Sequence, residues 1–347
     1  MQKKLIALAV AGLVSAPVFA QSNVTIYGIA DAALGFGSSK NNDYTGVVGG
    51  VLSGNRIGFR GTEDLGNGLK AVFQLENGFD IGNGVASPAV GGDSVFSRQA
   101  YVGLQGAFGT VSLGRQYAPG YFANYDAALA GLLSPQSTLT SQAGLTITPN
   151  SGARWDNSVV YTGTFGAVST RAIYSAFTQE SETLASNESS DDRWGLGVDY
   201  ANGPVKVGAV YHSLKQVGSD SQKEWYVGGE YNFGVLALAG SYQSARDFGA
   251  ADTDKRVWNL GVMVPVGAAG KVLVSYGNLK ERDLDDRDVK NWMVGYTHAL
   301  SKRSTAYAGY NRTSNDDAAT FGALNGTIGA EAGEDAGIFV VGMRHAF

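Results

Sequence analysis

Along most of this chain, apolar and polar side chains alternate one residue at a time. The final segment, Gly337-Ile-Phe-Val-Val-Gly-Met-Arg-His-Ala-Phe347, puts Phe339, Val341, Met343, His345 and Phe347 on one face. Ile338, Val340, Gly342, Arg344 and Ala346 fall on the other. In Asn55-Arg-Ile-Gly-Phe-Arg60, Ile57 and Phe59 face one way and Arg56, Gly58 and Arg60 the other. A period of two is the signature of a β-strand whose faces meet different surroundings. A soluble sandwich would also alternate, with its apolar side in a dry core. A strand between lipid and a wet lumen needs the same pattern turned inside out.

Sixteen such runs can be marked, near 23–37, 54–64, 68–80, 94–106, 109–117, 153–165, 168–179 and 193–202, then 205–214, 224–234, 235–246, 255–265, 271–281, 290–300, 303–312 and 336–347. Seven joins are short and rich in turn residues, such as Leu65-Gly-Asn-Gly68, Asn202-Gly-Pro204 and Phe233-Gly234. Between them lie eight long joins, near 38–53, 81–93, 118–152, 180–192, 215–223, 247–254, 282–289 and 313–335, the last long enough to hide a short hairpin. Strict alternation of short and long joins predicts an all-β fold: a 16-stranded antiparallel transmembrane β-barrel with short periplasmic turns and long outer loops. Eight strands would be filled by their own side chains, whereas sixteen leave an aqueous channel.

The start of the chain changes the setting. Met1-Gln-Lys-Lys4 is basic, an apolar run extends from Leu5 to Phe19, and a small residue, Ala20, closes it. These are the parts of a secretory signal peptide, too short for a spanning helix. We expect residues 1–20 to be removed and 21–347 to form the barrel. The remainder carries 24 basic against 31 acidic residues, which argues against a nucleic-acid partner. The chain has no cysteine, so neither disulfides nor thiolate metal sites arise. Abundant aromatic residues exclude a disordered chain.

Several short motifs carry a resemblance. They are Val24-Thr-Ile-Tyr-Gly28, Arg56-Ile-Gly-Phe-Arg-Gly61 with Glu63-Asp64, and Ser97-Arg-Gln-Ala-Tyr-Val-Gly-Leu104. Gly114-Arg-Gln-Tyr117, Asp156-Asn-Ser-Val159 and Arg344-His-Ala-Phe347 follow in order. Together they resemble the general porins of Gram-negative bacteria, most closely the neisserial and burkholderial branch. The resemblance implies a homotrimer and a third outer loop folded inward to form the narrowest point. Phe347 resembles the terminal signal read by the barrel-insertion machinery, although Ala346 stands where that branch often has a basic residue. It is also placed to be a lipid-facing belt aromatic.

Fixed charges at a narrow waist select ions by sign. The resemblance places a basic cluster on the wall, with Arg56, Arg98 and Arg154 at matching positions and Arg60 and Arg115 beside similar ones. Strand parity alone turns Arg56 and Arg60 inward. Arg98 shares parity with Ala100, Val102 and Leu104, so its inward direction rests on the resemblance. The alternative for each arginine is a surface ion pair or a subunit contact. Glu76 follows the inward parity of Lys70 and Gln74 and is expected to trim the field. Asp126, the only charged residue in 118–152, is expected to face the arginines across the waist.

The function expected is passive diffusion of ions and small hydrophilic solutes across the outer membrane, with a weak to moderate preference for anions. A substrate-specific channel is the alternative. Lipopolysaccharide and membrane lipid are the expected surroundings. Neither a cofactor nor a metal is called for: the carboxylates at 283, 285, 286 and 288 lack the glycine and closing glutamate of an EF-hand. Catalysis is not expected. His212, His298 and His345 lie in three separate runs, and neither a Gly-x-Ser-x-Gly elbow nor a His-Glu-x-x-His pair occurs. Thirteen Trp and Tyr residues between Trp194 and Tyr310, near strand ends, suit interfacial girdles, though some are expected to line the lumen.

Overall fold

The computed structural model describes residues 23–86, 95–127, 131–149, 153–176, 192–216, 220–249, 253–282 and 284–347. The expected signal peptide, most of the acidic segment 180–192 and Asp283 lie outside them. Seventeen strand segments form one sheet: β1 (Asn23–Ser39), β2 (Asn42–Gly49), β3 (Arg56–Gly66), β4 (Leu69–Gly78), β5 (Gln99–Gly106), β6 (Gly109–Tyr117), β7 (Arg154–Phe165) and β8 (Val168–Ser175) come first. They continue as β9 (Arg193–Asn202), β10 (Val205–Leu214), β11 (Gln222–Asn232), β12 (Ala237–Phe248), β13 (Thr253–Val266), β14 (Gly270–Glu281), β15 (Val289–Ala299), β16 (Ser304–Asn315) and β17 (Ala336–Ala346). Every pairing is antiparallel, and β1 closes the ring against β17, from Ile29 opposite Ala346 to Ser39 opposite Ala336. Reciprocal bonds of 3.1 Å between the backbones of Gly28 and Phe347 extend that seam.

Seventeen segments make sixteen staves because β2 and β3 share one. β1 pairs with β3 along Asn23–Ile29 and with β2 along Ala32–Ser39, and residues 50–55 interrupt the shared stave. The expected long join 38–53 is therefore mostly strand, and its turn is only Lys40-Asn41. Asp31 holds the break in place. Its carboxylate accepts the N–H groups of Leu52 (2.7 Å) and Ser53 (2.8 Å) and the Tyr307 hydroxyl (2.5 Å).

Two surroundings explain the alternation. Val24, Ile26, Ile57, Phe59, Val102, Leu104 and Leu113 are exposed on the outside of the wall, and the intervening side chains turn inward. The outer face also carries a belt. Trp194–Tyr211, Trp225–Tyr242, Trp258–Tyr276 and Trp292–Tyr310 pack as neighbouring ring pairs with centroids 5.2–5.5 Å apart, one ring from each of β9 to β16. Phe339 and Phe36 continue the row by register onto β17 and β1. The fifth tryptophan, Trp155, is buried and packs on the His212 ring.

The hydrophobic core lies within the barrel, between wall and inserted loops. The described residues of the third long loop, 118–127 and 131–149, lie in the lumen and include a 3-10 turn (Pro119–Phe122) and a short helix, α1 (Pro135–Gln142), which packs on β13, β14 and β15. Ser134 caps α1 by accepting the Ser137 N–H at 3.0 Å, with Pro135 at the first helical position. Leu139, Ala143 and Leu145 pack against Val257, Leu279 and Val289. Leu133 joins Met293, Tyr307, Ile338 and Val340 of the wall and Leu324 and Ile328 of the last loop. In that loop Ala323 pairs with Ile328, a minimal hairpin. Apolar residues on both faces of β17 now have a cause: one side meets lipid, the other an inserted loop.

Candidate functional site

The inserted loop hugs the wall formed by β8 to β17, which leaves the free passage beside β3 to β7. On that wall Glu76 is nearly fully buried and both its oxygens are engaged. Arg98 Nε donates to Oε1 at 2.6 Å, Tyr27 donates its hydroxyl to Oε2 at 2.9 Å, and an Arg56 nitrogen lies 3.9 Å from Oε1. Arg98 Nη2 also donates to the Tyr117 hydroxyl at 2.9 Å, and Arg154 Nη2 donates to the same oxygen at 3.2 Å. The Arg154 guanidinium lies 4.7 Å over the Tyr117 ring, which stacks on Tyr121 at 3.5 Å. Three guanidiniums thus converge on one tyrosine and one carboxylate. Burial works against the charge on Arg98, but Tyr117 and Glu76 outweigh it and raise its pKa.

Parity explains some of these positions and not others. Arg56 and Arg60 face inward because Ile57 and Phe59 face out. Arg98 stands in a bend before β5 begins, so the outward parity of Ala100 does not govern it. Arg60 is exposed to the lumen over the Tyr27 ring at 5.1 Å.

Two expected residues lie elsewhere. Asp126 does not face the arginines. It is buried inside the loop, where it accepts the Ser134 hydroxyl at 2.5 Å and the Gln136 N–H at 3.3 Å, and so braces the start of α1. Arg115 shares the outward parity of Val111 and Leu113; its Nε donates to the Ser97 carbonyl at 2.9 Å and its guanidinium pairs with Asp156. The loop segment opposite the arginines therefore offers no countercharge.

The passage is a cavity of about 900 Å³ that runs from Arg56, Glu76 and Tyr117 past Phe122 toward the short-turn end, where Arg60, Lys70, Gln105, Thr110, Thr162 and Arg171 line it. Arg171 pairs with Asp199 and lies 4.1 Å over the Phe122 ring. It escaped the sequence reading, although Ser169 on its own face and Tyr174 on the opposite one were a usable signal. Asp199 also accepts the Tyr125 hydroxyl at 3.0 Å, and burial together with that carboxylate raises the Tyr125 pKa.

A wet passage through a closed sheet, narrowed by one inserted loop, is a pore, and the sequence agrees with that reading. The profile of the Gram-negative porin family matches residues 7–318. This chain belongs to the Gram-negative porin family. The porin is 34% identical to outer membrane porin protein 32 of Delftia acidovorans, over the whole length of both chains. It is 30% identical to an outer membrane porin protein of Bordetella pertussis, over 89% of this chain and 93% of that one. Its fold superposes on an anion-selective porin from Comamonas acidovorans with a TM-score of 0.80 and 31% identity, covering 94% of this chain and 100% of that chain. Its place is the bacterial outer membrane, and its work is passive diffusion through the barrel.

Proposed function

We propose that this porin is a general diffusion channel with a preference for anions, set by Arg56, Arg98 and Arg154 at the waist and trimmed by Glu76. The observation that carries this is the asymmetry of the waist. Three guanidiniums and one fully engaged carboxylate line one side, and a loop whose only charge is buried lines the other. Guanidinium groups stay protonated even when crowded, so the positive field persists at any physiological pH. The similar porin of Comamonas acidovorans is described as anion-selective, which supports the same sign here. Arg60, Lys70 and Arg171 extend the positive lining below the waist. No catalytic step enters this function; transport needs only diffusion through a charged gap.

The test is the reversal potential of single channels in a bilayer across a salt gradient. Anion preference supports the proposal, and cation preference overturns it. Flux that falls smoothly with solute size supports a general channel; saturable flux for one solute class would favour a specific one.

We further propose a homotrimer joined through the β3–β7 side. The Trp/Tyr belt runs over β9 to β16, whereas β5 and β6 present Val102, Leu104, Val111 and Leu113 without a tryptophan. The outward Arg115–Asp156 pair on this side suits a protein neighbour better than lipid tails. An outer membrane protein of Vibrio cholerae that shares this fold, with a TM-score of 0.65 and 18% identity over 94% of this chain and 99% of that one, is described in a trimer form. Three equal conductance steps per insertion event support the trimer; single isolated steps reject it.

A further inference from the structure

On the wall that the inserted loop covers, two buried polar residues take hold of it. His212 of β10 and Glu224 of β11 stand directly across from one another in the sheet, and neither has any exposed surface. The Glu224 carboxylate accepts the Thr146 N–H at 2.9 Å and 3.1 Å, the Ile147 N–H at 2.9 Å and the Thr146 hydroxyl at 3.0 Å. Gln222 donates to it at 2.6 Å and Gln243 at 3.3 Å. His212 reaches the other limb of the loop. Its Nε2 accepts the Gly120 N–H at 3.1 Å, and its Nδ1 lies 2.9 Å from the Thr146 hydroxyl. With Nε2 accepting, Nδ1 carries the proton and donates to Thr146, whose own proton goes to Glu224. One chain of hydrogen bonds therefore ties the entering and returning limbs to each other and to the wall.

The surroundings are shaped for this contact. A Cβ on Gly195, across the sheet from His212, would come within 2.6 Å of the imidazole. One on Gly120 would lie 2.6 Å from the Ile147 backbone and 2.8 Å from the imidazole. Burying a carboxylate without a cation is costly unless donors surround it. Near β13 to β17 the same loop is held by apolar packing and by single hydrogen bonds to its carbonyls, from Lys255 to Ala143 at 3.0 Å, Asn259 to Tyr125 at 3.2 Å and Asn311 to Leu133 at 3.1 Å; none of these gathers several groups of the loop as Glu224 does. Hydrogen bonds to a fixed carboxylate set position as well as attachment.

We propose that Glu224, with His212, is the latch that positions the inserted loop and thereby sets the bore of the waist, although neither residue lines the passage. This rests on the reading of that loop as the constriction. Its consequence is distinct from selectivity, which belongs to the facing wall.

Glu224→Gln is nearly isosteric but turns an NH2 group toward N–H donors. The variant is expected to fold, to lose the single well-defined conductance level and to close at lower voltage than the parent, while still favouring anions. The natural chain has no cysteine, so a T146C/E224C pair gives a second, reversible measurement. Oxidised, it should hold one level; reduced in the same bilayer, it should lose it. If both E224Q and the reduced pair keep the parent's conductance level and closing voltage, the latch is wrong. The cysteine pair decides the matter should E224Q fail to fold. Cation preference in the unmodified channel would instead sink the reading of the arginine wall, leaving the latch result standing or falling by itself.

Discussion

Removing an acidic residue from the waist should make this porin more selective for anions, and Glu76 is the place to do it. Glu76→Gln keeps the shape and an acceptor oxygen for Arg98, with its NH2 turned toward the Tyr27 oxygen, but removes the negative charge set among Arg56, Arg98 and Arg154. An ion passing about 7 Å from that charge feels about 0.6 kcal/mol at the dielectric constant of water and about 2.4 kcal/mol at an effective value of 20. The passage is wet, so the lower figure governs. It acts on anion and cation with opposite sign, so the two differ by about 1.2 kcal/mol, which corresponds to about a sevenfold rise in the anion-to-cation permeability ratio before screening. The assay is the reversal potential in a planar bilayer with a gradient of potassium chloride, repeated at two mean salt concentrations. The gain should be largest near 0.1 M and shrink near 1 M, as the screening length falls from about 10 Å to about 3 Å. A ratio that stays the same at low salt, or moves toward cations, would refute the idea that Glu76 trims the field.

Other outcomes follow from the same geometry. Arg56→Gln with Arg98→Gln removes two such charges and should cut the anion preference by up to about fiftyfold at low salt, measured as above. Asp126→Asn should leave the reversal potential unchanged, because the carboxylate is enclosed in the loop; the lost charge-assisted bonds should cost about 1–3 kcal/mol, visible as a lower unfolding temperature in detergent. Gly28→Val should prevent stable closure, since a Cβ there would sit 2.3 Å from the Phe347 ring and 2.7 Å from the Arg56 carbonyl; loss of the compact, heat-sensitive band on an unheated gel would show it. Asp31→Ala frees two backbone N–H groups and the Tyr307 hydroxyl at the interrupted stave, and should broaden the conductance distribution by loosening the segment that presents Arg56.

The staves were legible because each has lipid on one side and water or an inserted loop on the other, and that contrast writes a period of two into the residues. Most observed ends fall within a few positions of those expected; β10, for instance, runs Val205–Leu214 as expected, and β9 Arg193–Asn202. The hairpin of β1 and β2 was missed because glycine, asparagine and serine crowd 37–54 and look like loop. Parity placed Arg56, Arg60 and Glu76, whose strands are regular. It pointed Arg98 outward, because that residue precedes its strand and does not follow its alternation, and Asp126 sits in a loop that has no period at all. The contacts of His212 and Glu224 were beyond reach for a similar reason: their partners are backbone groups of a segment folded in from elsewhere, which no local pattern records.

Because the narrow part is a separate segment leaning on one side of a wide cylinder, width and solidity are determined by different stretches of chain. The cylinder needs its ladders of hydrogen bonds and its greasy exterior, and changes there threaten the whole. The insert also fills the core against the wall, yet its passage-facing side can change while the ladders of the staves remain as they are. A lineage carrying this architecture can therefore adjust what it admits by editing about thirty residues, without risking the shell that keeps the membrane sealed around it.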